Sequence, residues 1–178
     1  MGIDTNTIKE LIDKNDYDSI YINELVDNLV NKCCGSLDKY IEYVSKILND
    51  TNYDVSDKEL EDITMTIPTL LYYVGTQQEK IGVKRDISES SKNLLYNEIF
   101  SSLSGTAGAK KSVAELKIVD EEIVVFIFTR AYNIVKSKVT YAFEVLQSAK
   151  KVMSRRIAES ELTKVANVSI PINKKGRD

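Results

Sequence analysis

From Ala109 to Ile170 the chain contains neither glycine nor proline. Read as one helix, residues 109–165 would run about 85 Å at 1.5 Å per residue. That is longer than a compact domain of 178 residues is wide, so such a helix must project, bend or serve an assembly. Val125, Phe128, Tyr132, Val135, Val139, Ala142, Leu146, Ala149 and Met153 follow one another at alternating spacings of 3 and 4. This is a heptad seam, and it predicts a self-association surface; Ala142 and Ala149 would let a partner helix come close. At about 100° per residue, Arg130, Lys138, Lys151 and Arg155 lie opposite the seam, with Arg156 at the edge. One side of the rod packs and the other is cationic. Within it, Ile123–Phe128 is β-branched and aromatic and reads as a buried strand in isolation. The 3/4 spacing continues through it in both directions, which favours helix.

The rest of the composition fits an all-α fold. Seven glycines and two prolines are too few turn formers for a sandwich or barrel. The absence of histidine removes His-dependent triads and most zinc and non-haem iron sites. The two cysteines, Cys33 and Cys34, are adjacent and cannot build a disulfide framework within one chain. Met1-Gly2-Ile3-Asp4 carries no secretory signal pattern, Asn6 weakens a myristoylation reading, and the longest apolar run is only Ile123–Phe128. The expected setting is a reducing cytoplasm, with both cysteines as thiols.

Charge is unevenly spread. Residues 1–60 hold 13 Asp/Glu against 6 Lys/Arg, whereas residues 121–178 hold 6 against 11. An acidic front and a basic back suit either a polyanion partner or head-to-tail neutralisation between subunits or lobes.

Upstream, the pattern predicts short helices over Thr5–Lys14, Tyr21–Cys33 and Leu37–Leu48, with a break at Gly35-Ser36. Residues 1–52 thus read as a small acidic helical lobe. Ser56 and Glu59 form a capping-box pattern, S-x-x-E, that opens a helix from Asp57 to about Lys80. Pro68 predicts a kink or restart near Thr66-Ile67, and Gly82 a stop. A helix over Lys84–Leu103 completes a hairpin that closes at Ser104–Gly108. Residues 53–165 are read as this hairpin plus the long oligomerisation helix, and residues 166–178 as a basic tail; Asn167–Pro171 is too short to assign.

Candidate chemistry is sparse. Asp120, Glu121 and Glu122 point about 100° apart on a helix and cannot converge on a metal or sugar. The acidic stretch from Asp54 to Asp62 lacks the ladder and central glycine of an EF-hand. Ser104–Lys111 lacks phosphate-loop spacing and a preceding strand, and reads as an interhelical turn from which Lys110 and Lys111 could reach a phosphate. Tyr72, Tyr73, Tyr96, Tyr132 and Tyr141 are either core residues or, interleaved with cations, a stacking surface for unpaired bases. No cofactor, metal site or catalytic pair can be named.

From about Ile63 to Arg156 the chain resembles the UvsY-like recombination mediators of tailed phages. The features are Leu70-Leu-Tyr-Tyr73, the turn at Ile81–Lys84, a helix ending at Leu103-Ser-Gly105, and a long helix through Val135–Lys138 to Ser148–Met153. The resemblance implies an oligomeric, single-stranded-DNA-binding accessory protein that helps load a RecA-like recombinase onto strands covered by single-strand-binding protein. It departs from the family at Tyr96–Phe100, where basic residues are expected and none occur. Any DNA contact would then fall to Lys110, Lys111, Arg130, Lys138, Lys151, Arg155 and Arg156. The alternative is a structural phage protein of the virion or neck, or a protein inhibitor, acting through protein contacts alone.

Overall fold

The computed structural model describes residues 19–50 and 53–167; the expected helix at Thr5–Lys14 and residues 168–178 of the expected basic tail lie outside them, while residues 166 and 167 are helical. Among the described residues four helices follow in order, α1 (Ser19–Asn49), α2 (Asp57–Ser102), α3 (Ala107–Lys117) and α4 (Val119–Asn167). The described residues contain no strand, and Ile123–Phe128 is helical.

At none of three expected break points, Gly35, Pro68 and Gly82, does a helix end. Gly35 lies inside α1, because Leu25, Val26, Leu29 and Val30 before it and Cys34, Leu37, Ile41 and Val44 around and after it are buried in one register. A helical glycine costs about 1 kcal/mol relative to alanine, less than burying one large apolar side chain contributes. Pro68 lies on the exposed side of α2, where water can take the carbonyl that loses its donor. Gly82 does not stop α2 either. It is buried against α4, and a Cβ there would sit 3.3 Å from the Tyr132 ring, so the glycine serves a close helix–helix approach.

One break was not expected. The C-terminal rod is interrupted at Ile118 (φ −108°, ψ 10°), whose N–H reaches back to the Glu115 carbonyl at 3.4 Å. Ile118 is buried, so packing sets the corner. Asp120, Glu121 and Glu122 fall in the first turn of α4, where carboxylates complement the helix dipole.

α2 and α4 run antiparallel, with Asp57 meeting Arg156 at one end and Gly82 meeting Tyr132 farther along. α1 lies against both: the Tyr40 hydroxyl donates to Asp62 of α2 at 2.7 Å, and Lys138 of α4 donates to both Asp38 oxygens at 2.9 Å. One continuous core joins Leu25–Val44 of α1, Val55, Leu60–Ile81 of α2 and Val124–Ala149 of α4. Residues 19–50 are therefore part of the main core rather than a separate lobe.

The heptad seam is consumed in this core. Phe128, Val135, Ala142, Leu146 and Ala149 are buried, and Tyr132, Val139 and Met153 pack against them; Val125 is half-buried. The seam's partners are α1 and α2 of the same chain, so the face expected to drive self-association is already covered. Past Ile81, α2 runs on for some 20 residues (about 30 Å) as an arm on which α3 packs. Only Gly82 and Ser88 of that stretch are buried.

Candidate functional site

The seven cations expected to meet nucleic acid do not form one surface. Lys138 is held by Asp38, and Arg156 by Asp54 and Asp57, both across the fold. Arg155 pairs with Glu159 at 2.7 Å and Lys111 with Glu115 at 3.6 Å, one helical turn away in each case. Lys110 sits over the Phe100 ring, 5.6 Å from its centroid. Arg130 and Lys151 are exposed and have no ion-pair partner among the described residues. Periodicity could not foresee the Lys138 and Arg156 pairs, which join residues about a hundred positions apart.

The outer face of α4 is also mixed in sign. Counting 100° per residue, Glu122, Glu144 and Glu159 lie within about 60° of Phe126, as do Arg130, Lys151 and Arg155. Phe126 and Tyr141 are exposed on the same side. Such a face offers two aromatic rings and balanced charge rather than a cationic stripe.

Tyr72, Tyr73 and Tyr141 are exposed, whereas Tyr96, Tyr132, the two cysteines and the Ser104–Lys111 turn are engaged within the fold. Tyr132 is half-buried under the Arg85 guanidinium, 4.8 Å from its centroid, and Tyr96 stacks on Phe100 at 6.0 Å. Burial raises the pKa of both thiols, that of Cys34 to about 12 with the Asp38 carboxylate adding to the effect, so neither is set up as a thiolate nucleophile. The Ser104–Lys111 segment is an interhelical turn: Thr106 caps α3 by accepting from the Ala109 N–H, and Gly105 takes a φ of 124° that favours glycine. The described residues contain no His/Cys/Asp/Glu group that could hold a metal, and no helix long and apolar enough to cross a membrane.

The most distinctive surface lies on the outer side of α2. Met65, Tyr72, Val83, Ile87 and Leu94 are 56–74% exposed. At 100° per residue they fall within about 60° of each other, along roughly 44 Å of helix. Thr69 and Thr76 lie on the same line, and their hydroxyls donate to the carbonyls of Met65 and Tyr72 at 3.1 Å. Those donors are satisfied within the helix, so covering them costs little. Tyr73, edge-on to Tyr72 at 5.7 Å, borders the line. Sequence reasoning missed this stripe because breaks expected at Pro68 and Gly82 divided it among separate helices. Period counting across both residues would have found it.

Compared with known proteins, this chain matches no family, no characterised protein and no solved structure.

Proposed function

We propose that this chain is a non-enzymatic helical accessory protein that acts by docking protein against the outer face of α2. The observation that carries this reading is the exposed line Met65, Tyr72, Val83, Ile87 and Leu94. Single exposed apolar residues are ordinary, whereas five large ones aligned on one face of a single helix are costly to leave in water and suit an interaction surface. Long helix faces of this kind suit a structural or inhibitory role exercised through protein contacts. A photo-reactive benzophenone side chain in place of Leu94 tests it in cells. Protein adducts are expected there, and none from the same side chain in place of Glu144 on α4. Adducts to nucleic acid alone, or equal adducts at both positions, would sink the reading.

A second reading keeps the recombination-mediator function implied by the resemblance. It is favoured by Phe126, Arg130, Tyr141 and Lys151, two rings and two cations without an ion-pair partner among the described residues, on the exposed side of α4. Repeated around an oligomer, a weak face of this kind gains affinity by multivalency. It requires single-stranded DNA binding at ~50 mM salt that weakens as salt rises, and that falls in an Arg130→Glu, Lys151→Glu variant. Fluorescence anisotropy reads both. Absence of binding at low salt removes this reading.

A further inference from the structure

The exposed line on α2 is complementary to itself when reversed. It consists of two quartets with the same 4-3-4 spacing, Met65, Thr69, Tyr72, Thr76 and Val83, Ile87, Ser90, Leu94. About a centre between Glu79 and Lys80, Met65 corresponds to Leu94, Thr69 to Ser90, Tyr72 to Ile87 and Thr76 to Val83. Two pairs set a large apolar residue against another, Thr69 meets Ser90 as one hydroxyl against another, and Thr76 meets Val83 as the one mixed pair.

We propose that a second copy of this chain packs antiparallel on this face, giving a two-fold dimer through α2. The proposal rests on the reading of that face as a protein-docking surface and names its occupant. A two-fold interface uses the same patch on both subunits, so the patch must complement its own reverse. A 4-3-4 spacing reads the same in reverse on any heptad-like face, so the symmetry that counts is that of residue type, kept in three of the four pairs. The 3/4 spacing of each quartet suits knobs-into-holes packing between two helices. A face about 44 Å long and about 11 Å wide would bury roughly 500 Å² per copy, about 1,000 Å² in total, at the lower bound for a specific interface. The dimer is therefore expected to be concentration-dependent.

Its charges give it a signature. Glu79 and Lys80 are exposed and flank the two-fold on opposite edges, so each lies beside its own copy. These like-charge contacts are screened by salt, and association strengthens as ionic strength rises. Electrostatic binding of a polyanion moves the other way.

The test is the solution mass of the full chain across a concentration series, by sedimentation equilibrium. A monomer–dimer equilibrium is expected, tightened by salt, with at least a tenfold weaker association in Ile87→Glu. Ile87 is 60% exposed, so this substitution leaves the core intact. Register is read by a short thiol cross-linker in a Cys33→Ser, Cys34→Ala background whose helicity is checked by circular dichroism. Mixed Met65→Cys and Leu94→Cys chains should cross-link to each other. Neither should cross-link to itself, since the two copies of Met65 stand about 44 Å apart in the antiparallel register. A monomer at every concentration, a dimer indifferent to Ile87→Glu, or self-linked Met65→Cys chains would each overturn the proposal. A monomer that still gives protein adducts from position 94 in cells overturns the second copy and leaves the docking face standing. Loss of both overturns both.

Discussion

The two halves of α2 are covered differently, although the helix does not change along its length. From Asp57 to Ile81 it is enclosed by α1 and α4, and Leu60, Ile63, Ile67, Val74 and Ile81 are buried in the common core. From Val83 to Ser102 its own cover comes from α3 and the start of α4, and Leu95, Tyr96, Ile99 and Phe100 are only half-buried. α3 itself buries a single residue, Ala114. Most helical stability in proteins comes from packing of an apolar face rather than from propensity. The first half of α2 therefore holds the fold, and the second is carried by continuity with it. The apolar line on the outer face crosses both halves and is covered in neither, which separates what the helix needs to fold from what it offers to a partner.

Core truncation should expose this contrast most strongly. Phe128→Ala removes a fully buried ring from the bundle and should cost ~3–5 kcal/mol in urea unfolding. Ile99→Ala, half-buried in the arm, should cost less than ~2 kcal/mol in the global transition. Amide hydrogen exchange should show residues 90–117 opening without the bundle. Equal costs and equal protection would mean that the arm belongs to the same cooperative core, and the contrast would fail.

The sequence showed the elements more readily than their ends or their partners. The helical class, the capping box at Ser56 and Glu59, and the burial of Phe128, Val135, Ala142, Leu146 and Ala149 were all legible, because each depends on local chemistry or on one helical period. Gly35 and Gly82 misled, since a glycine's preference of about 1 kcal/mol yields to apolar residues continuing in register on both sides. Ile118 gave no warning at all: an isoleucine has no intrinsic reason to end a helix, and its burial at the corner follows from tertiary packing. The seam was visible as an apolar face, but not what covers it. A heptad pattern states that a helix is needed opposite, and it is equally satisfied by α1 and α2 of the same chain or by another subunit. The cationic face was legible as spacing and illegible as chemistry, because Asp38, Asp54 and Asp57 come from distant sequence to meet Lys138 and Arg156.

The two ends of α2 also differ in how they are closed, and acid should separate them. At the first end Glu59 receives hydrogen bonds from the Tyr53 hydroxyl at 2.5 Å and from the Ser56 N–H and hydroxyl at 2.8 Å each, while Ser56 Oγ accepts from the Glu59 N–H. The donors favour the charged carboxylate, so its pKa lies below the usual 4.5, with the Tyr53 bond the largest cause and those of Ser56 next. At the other end the closing contact is the Leu103 N–H on the Ile99 carbonyl, which does not titrate. A carboxylate whose pKa is lowered on folding contributes stability above its unfolded pKa, and that contribution is lost as pH falls through the folded value. Below about pH 4.5 the Asp57 end of α2 should therefore loosen before the Ser102 end. Thermal melts followed by circular dichroism should show wild type losing stability more steeply than Glu59→Gln on descending from pH 5, with the two curves converging once the carboxyl is protonated. Protection of amides 59–62, taken relative to the intrinsic exchange rate at each pH, should fall over the same range while that of 99–102 holds. If Glu59→Gln follows wild type throughout, the cap is not what secures the first end of α2, and burial of Leu60 and Ile63 alone must account for it.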